Sequence, residues 1–246
     1  MTRFFVPKKN LSATYGLIDG QELVHLKKVL RLVPGDRVTI FDDSGWEHEA
    51  VILSLNAEQG KIEIVRSYQA ATEPPLQITL GIALTKGERM DWIVEKATEL
   101  GVRTIIPFSS SYSVPQLDEK KIMKRTERWQ KIALSATKQC GRTRVPEISP
   151  LWEYRKLVHE ASPQRLKLIF WEKEKHQSLY QIHDKYGDVD AVLIVVGPEG
   201  GFTVEEAQLA QRLGFETVGI GQRILRADTA AVAAITLVQF LWGDLR

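Results

Sequence analysis

The sequence predicts an α/β protein built on a mainly parallel sheet, preceded by a smaller β-rich domain. Three observations carry that prediction. From Gln77 onward, short apolar runs alternate with helical stretches, a pattern that calls for crossover connections and a parallel sheet. The run Val192–Val196 has no polar alternation, which fits a strand covered on both faces. Before residue 70 the pattern is instead one of short strands around a single helix. The segment Ala70–Pro75 closes that region with paired prolines, which cannot continue a sheet ladder and favour an extended spacer. The boundary is placed there, giving an amino-terminal domain over 1–72 and a carboxyl-terminal domain over 73–246.

In the first domain, Asp19 and Glu22 have capping-pair spacing for a helix running through Leu32, with Leu23, Leu26 and Leu30 inward. Pro34-Gly35-Asp36 breaks that helix and leads into a strand at Val38–Phe41. Asp42–Gly45 reads as a hairpin loop, followed by strands near Glu49–Leu55 and Lys61–Val65. In the second domain the pattern predicts strands at Gln77–Leu84, Thr104–Phe108 and Leu166–Phe170, with a helix over Glu88–Leu100 stopped by Gly101. A long helix is predicted over Glu119–Cys140.

The chain is organised around its last quarter. After Val196 comes Gly197-Pro198-Glu199-Gly200-Gly201-Phe202, then Thr203 and Glu206 at capping-box spacing for a helix that ends near Gly214. A second strand, Thr217–Ile220, enters Gly221-Gln222-Arg223-Ile224-Leu225-Arg226, and an Ala-rich helix follows from about Thr229. Both special loops leave the carboxyl ends of strands, the edge where open α/β sheets bind ligands. Trp171-Glu172 forms a third loop on that edge. Glycines let a ligand approach the backbone and let amide N–H groups point at it. No Gly-Lys-Ser/Thr follows, so this is not a phosphate-binding P-loop, and GxGxxG is absent. Glu199 would repel a pyrophosphate. A neutral or cationic ligand with a purine and an apolar contact wall fits better.

Composition is that of an ordinary globular protein, 43% hydrophobic and 26% charged. A single cysteine, Cys140, and five scattered histidines give neither a disulfide framework nor metal-ligand spacing, and no metal is expected. The opening residues turn polar within ten positions, unlike a secretory signal, and Thr229–Trp242 is short of the ~20 residues that span a bilayer. A cytoplasmic protein without membrane contact is therefore expected. That helix, apolar on most faces, belongs in a core or a subunit interface.

Net charge is only +2, but residues 119–144 hold nine Lys or Arg and two acids. Lys121, Lys124, Arg128, Lys131 and Lys138 recur at three- and four-residue steps, so they share one helical stripe. Ile122, Trp129, Ala133, Ala136 and Cys140 form another on roughly the opposite side. Like charges stacked without acids on their own stripe repel unless a polyanion is present, which points to a phosphate backbone. His25, Lys27, Lys28 and Arg31 make a shorter basic face in the first domain, and on charge alone it reads as solvated.

GPEGGF followed by GIGQRILRADTAAVAA resembles the paired carboxyl-terminal motifs of the RsmE-type 16S rRNA uridine methyltransferases of the SPOUT superfamily. KGERMDWIVEKATELGV (86–102), SATKQCGRTRVPEI (135–148), RFFVP and HLKKVLRLVPGD are similar to the same family, so the resemblance touches nearly the whole chain. It implies a carboxyl-terminal trefoil knot, a PUA-like amino-terminal β-barrel that docks RNA, and a homodimer. It also implies S-adenosylmethionine as cofactor and methylation of a uridine N-3 in 16S rRNA of the small ribosomal subunit. One departure stands out: the family usually has Glu where this chain has Asp228.

Together these give a candidate site. Glu172, Gly197, Glu199, Gly200, Gly201, Ile220, Gly221, Ile224, Leu225 and Thr229 are the expected cofactor contacts. Arg3, His25, Arg31, Lys124, Arg128, Lys131, Lys138 and Gln139 are the expected RNA contacts, with Arg3 and Arg31 drawn in by the resemblance. Arg142 and Arg226 are expected to stabilise charge on the base, with Asp228 as partner of Arg226 or as helix cap. Two other readings stand beside this one: a noncatalytic RNA-binding protein, and a nucleotide-dependent enzyme acting on small metabolites. The glycine loops argue against the first and the basic stripe against the second.

Overall fold

The computed structural model describes residues 2–112, 118–160 and 166–245. The chain forms two compact units, Met1–Glu73 with Thr137–Val145, and Pro74–Ala136 with Pro146–Arg246.

The first unit holds β1 (Arg3–Phe5), β2 (Tyr15–Asp19), the short helix α1 (Gly20–Val24), β3 (Arg37–Phe41), β4 (Trp46–Leu55) and β5 (Gln59–Gln69). They pair in the order β1-β3-β4-β5-β2. β1 runs parallel to β3, and every other pairing is antiparallel. β1 and β2 add two strands that the sequence pattern does not single out, because each is only 3–5 residues long. One side of each is buried all the same: Phe4 of β1 and Ile18 of β2 join Leu26, Val38, Ile40 and Ile62 in one core. The β3–β4 hairpin turns on Asp42, whose carboxylate accepts from the Ser44 N–H at 3.1 Å. Asp43 and Gly45 take positive φ there, at 68° and 97°.

The helix expected through Leu32 is shorter and irregular. After Val24 the backbone widens into a π-helical turn over His25–Val29, with the Leu30 N–H donating to the His25 carbonyl at 3.0 Å. It stops at Arg31, which is left-handed at φ 54°. The expected capping pair does not form, since both carboxylates are engaged elsewhere. Asp19 accepts from the Asn10 side-chain amide at 3.1 Å, and Glu22 from Lys138 Nζ at 2.7 Å.

The second unit begins with β6 (Gln77–Ala83), α2 (Arg89–Glu99), β7 (Thr104–Ser109) and the long helix α3 (Glu119–Cys140), whose last turn clusters with the first unit. Then come β8 (Glu147–Ile148), β9 (Trp152–Glu153), α4 (Tyr154–Glu160), β10 (Leu166–Phe170) and α5 (Leu179–Tyr186). The unit closes with β11 (Ala191–Val196), α6 (Val204–Arg212), β12 (Glu216–Val218) and α7 (Ala227–Trp242). All ladders of its seven-stranded sheet are parallel, in the order β12-β10-β11-β6-β7-β8, with β9 also on β7. Val192 to Val195 are wholly buried in β11, at the centre, as an unalternating run requires.

Strand order places the site. The chain runs β10, then β11, and then returns past β10 to lay β12 on its far side. β10 is thus a topological switch point, flanked on both sides by strands that follow it in sequence. Phe170 pairs with Val196 on one side and Val218 on the other, so the three strands end at one level. Their three following loops meet.

Candidate active site

Those loops enclose a cleft. The loop after β10 supplies Trp171, Glu172 and Lys175, and the loop after β11 supplies Gly197, Pro198, Gly201 and Phe202. The third, after β12, supplies Ile220, Gly221, Arg223, Ile224 and Leu225, with Ala227 and Ala230 of α7 completing the wall.

The glycine loop has a specific construction. Phe202 is buried against Phe108 and Tyr154, with ring centroids 6.3 and 5.5 Å away. Its ring lies so near Gly197 that a Cβ there would be 2.9 Å from it. Gly201, at φ 73°, lies against Glu172, whose Oε1 would be 2.6 Å from an added Cβ. A side chain at Gly201 would therefore be strained in the backbone and would collide with the cleft's only acidic lining group among the described residues. Thr203 caps α6 with the full capping box: its hydroxyl accepts from the Glu206 N–H at 3.1 Å, and Glu206 Oε2 from the Thr203 N–H at 2.9 Å. Gly214, at φ 80°, follows the helix end.

Seven of the ten residues expected at the cofactor line this cleft: Glu172, Gly197, Gly201, Ile220, Gly221, Ile224 and Leu225. Three lie outside the lining. Glu199 turns towards α2, where its Oε1 accepts from Arg89 at 2.6 Å. Gly200 faces Tyr112, whose Cβ would be 2.9 Å from an added Cβ. Thr229 points its N–H and hydroxyl at Asp228 Oδ1, at 2.8 and 3.4 Å. Arg223 lines the cleft from the second of the loops expected there, whereas nothing in the sequence points to Lys175, since no local pattern in an irregular loop says which side chain turns inward. Trp171 Nε1 is buried there without a hydrogen-bond partner among the described residues, although donors of this kind are ordinarily satisfied.

The arginines expected to act on the base differ in setting. Arg226 is the exposed residue preceding α7 and makes no ion pair among the described residues. Asp228 engages Thr229 in its own turn. Arg142 is buried and forked onto Glu73, with Nε and Nη2 donating at 3.2 and 2.9 Å. The same carboxylate accepts the Thr143 and Arg144 N–H groups at 2.8 and 2.9 Å. Burial opposes ionisation of Glu73, but the Arg142 guanidinium and those two amides hold its carboxyl below the usual range.

The expected RNA contacts are dispersed. Lys124, Lys131 and Gln139 are exposed on α3, while Trp129 and Ala133 face the core and the Trp129 indole donates to Asp91 at 3.1 Å. Arg128 pairs with Asp91 and Lys138 with Glu22, so two cations of the stripe already have carboxylates. Arg3 pairs with Glu47 and donates to the Arg142 carbonyl at 2.7 Å. His25 lies edge-on to Phe4, and Arg31 is exposed.

Residues 72–239 match the model of the RNA methyltransferase domain, and residues 18–65 that of the RNA methyltransferase PUA domain. Ribosomal RNA small subunit methyltransferase E of Bacillus subtilis is 30% identical, over 93% of this chain and 91% of its own. That of Buchnera aphidicola is 32% identical, over 90% and 88%. The chain belongs to the ribosomal RNA small subunit methyltransferase E family. The member from Neisseria gonorrhoeae, solved bound to S-adenosyl methionine, is 37% identical and superposes with a TM-score of 0.90 over 100% of both chains. The family's PUA domain accounts for the five-stranded first unit, and its methyltransferase domain for the parallel sheet that carries the cleft. Among the described residues no helix is long and apolar enough to cross a membrane, and no cluster of His, Cys, Asp and Glu could hold a metal.

Proposed function

We propose that this protein transfers the methyl group of S-adenosylmethionine to N-3 of one uridine in 16S rRNA of the small ribosomal subunit, and so works in the cytoplasm. The observation that carries this reading is the cleft where the loops after β10, β11 and β12 meet, in a chain that superposes over its full length on a family member bound to that cofactor. The residues fit the group. The apolar wall of Pro198, Ile220, Ile224 and Leu225 suits a purine face, and the unpartnered Trp171 Nε1 offers a donor. The Glu172 carboxylate against Gly201 suits a cationic ligand. S-adenosylmethionine supplies an electrophilic methyl group, so the protein's share is alignment and a nucleophile in the right protonation state.

The uridine N-3 is on the Watson–Crick edge, so the base must leave its stack to react. Arg226, with Asp228 in the next turn of chain, or Arg142 stabilises the negative charge that grows on the base oxygens as the proton leaves. Bulk water takes the proton. Lys124, Lys131, Gln139 and Arg31, all exposed, carry phosphate contacts, supported by Arg3, His25, Arg128 and Lys138. The reading includes a trefoil knot in the carboxyl-terminal segment and a homodimer. Leu237 and Phe240 on α7, 37% and 50% exposed, give the dimer an apolar face, and sedimentation at micromolar concentration tests it. Mapping modified nucleosides by mass in rRNA from cells lacking the protein tests the reaction. One missing 3-methyluridine in 16S rRNA, restored by the gene, is expected; unaltered rRNA would refute the assignment.

A further inference from the structure

All three cleft loops run into helices: a capping box ends the loop after β11 at Thr203 and the loop after β10 at Ser178, and α7 starts after β12. Ahead of Ser178 the loop after β10 runs irregularly over Trp171–Gln177, the stretch that carries the lining residues Trp171, Glu172 and Lys175. We propose that Glu174 is a positioning residue for the cofactor, fastening this loop to β12 and to the loop that follows it. The inference rests on the reading of the cleft as an S-adenosylmethionine site.

Glu174 does not line the cleft, but both of its carboxylate oxygens are used. Oε1 accepts the His176 and Gln177 N–H groups at 2.8 and 3.2 Å, which closes the loop on itself. Oε2 accepts the Thr217 hydroxyl at 2.7 Å, which ties the loop to β12. Thr217 is buried, and its hydroxyl oxygen also accepts from Gln211 of α6 at 3.2 Å. The main chain repeats the attachment: the Trp171 N–H donates to the Val218 carbonyl at 2.9 Å, and the Glu174 N–H to the Trp171 carbonyl at 3.1 Å. Finally, the Glu174 carbonyl packs against Gly219, where an added Cβ would lie 2.4 Å from it. Thr217 and Gly219 lie three residues and one residue ahead of the lining residue Ile220, so one residue joins two walls of the cleft. Partial burial opposes its ionisation, yet donors from His176, Thr217, Gln177 and Lys175 outweigh that and keep the carboxyl below its usual range. At neutral pH it is therefore a pure acceptor, as four donors require. An amide in its place would turn an NH2 group towards some of them.

Holding Trp171, Glu172 and Lys175 in place beforehand lowers the ordering cost of binding. Calorimetric titration of S-adenosylmethionine into the full-length protein tests this, using Glu174→Gln, Thr217→Val and Thr217→Ser. Affinity should weaken ~10-fold in the first two and stay near wild type in Thr217→Ser, which keeps the hydroxyl. The Glu174→Gln/Thr217→Val double variant should be no weaker than the weaker single, because both break one connection. In turnover, KM for S-adenosylmethionine should rise while kcat at saturation stays within about twofold. If Glu174→Gln unfolds more easily but binds as tightly as wild type, the residue is merely structural and the inference falls. Should Glu174→Gln not fold, Thr217→Val decides alone, and wild-type affinity there overturns the proposal. A wild-type protein that fails to bind S-adenosylmethionine removes the cofactor reading itself, and this inference with it.

Discussion

The cofactor cleft and the basic helix were both conspicuous in the sequence, yet the fold treats them differently. In the cleft, local signals do what they promise: Gly201 takes φ 73°, Thr203 and Glu206 form a complete capping box, and the apolar run 192–196 becomes the central strand. On α3, the row of five cations looks unopposed along the helix. In the fold, Arg128 meets Asp91 and Lys138 meets Glu22, partners 37 or more residues away. Backbone geometry is dictated by neighbours in sequence, whereas the balance of charge is dictated by neighbours in space. A glycine loop can therefore be read with far more assurance than a charged stripe.

The largest effect that sharpens this contrast is expected at Gly201. Gly201→Val must adopt a left-handed backbone and enter the space of Glu172. Strain of about 1–3 kcal/mol adds to the lost contact. Affinity for S-adenosylmethionine should fall at least ~100-fold by calorimetry, with unfolding still cooperative. Near-normal affinity would mean that the loop's geometry is not what holds the ligand.

Arg142, expected to act on the base and two residues past the end of α3, comes next. Arg142→Lys keeps the charge but loses the fork onto Glu73. Single-turnover methylation at saturating RNA should slow ~100-fold, about 2.7 kcal/mol of transition-state stabilisation. A variant that loses RNA affinity but keeps its saturated rate would make Arg142 a phosphate clamp and pass the chemical role to Arg226.

Glu73 gives a smaller effect with a definite pH signature. Its carboxyl titrates below the usual 4.5 in the folded protein, so the folded state favours the charged form. The stability it adds is complete above its unfolded value and is lost as pH falls through the folded one. The difference in urea-unfolding free energy between wild type and Glu73→Gln should hold constant above about pH 5 and shrink steadily below it. A difference independent of pH would mean that Glu73 acts by shape alone.

The smallest effect is on the stripe itself. Lys124→Gln with Lys131→Gln should reduce the slope of log affinity for RNA against log salt by about 0.7–0.9 per lost phosphate contact. Arg128→Gln should change it less, because Asp91 already neutralises that guanidinium. Equal effects would show that the intramolecular pair opens on binding.

The same division explains what the sequence left hidden. The parallel sheet, the glycine loops, the helix over 204–212 and the hairpin at Asp42–Gly45 were legible because each has a signature within a few residues. β1 and β2 were not, being too short to show a period. The wide turn at His25–Val29 was not, because Asp19 and Glu22 had the right spacing but took Asn10 and Lys138 instead of the helix end. Among the site residues, Trp171 and Glu172 could be placed from the end of the Leu166–Phe170 strand. Lys175 could not, since an irregular loop carries no period to say which way it faces. Nor does spacing predict that Glu73 meets Arg142 across 69 positions.

Amide hydrogen exchange with and without S-adenosylmethionine asks whether three loops separate in sequence form one site. Added protection is expected at 171–177, 197–202 and 219–225 together, at one ligand per chain, with little change in β1–β5. Protection confined to a single loop, or centred outside these three segments, would contradict a shared site.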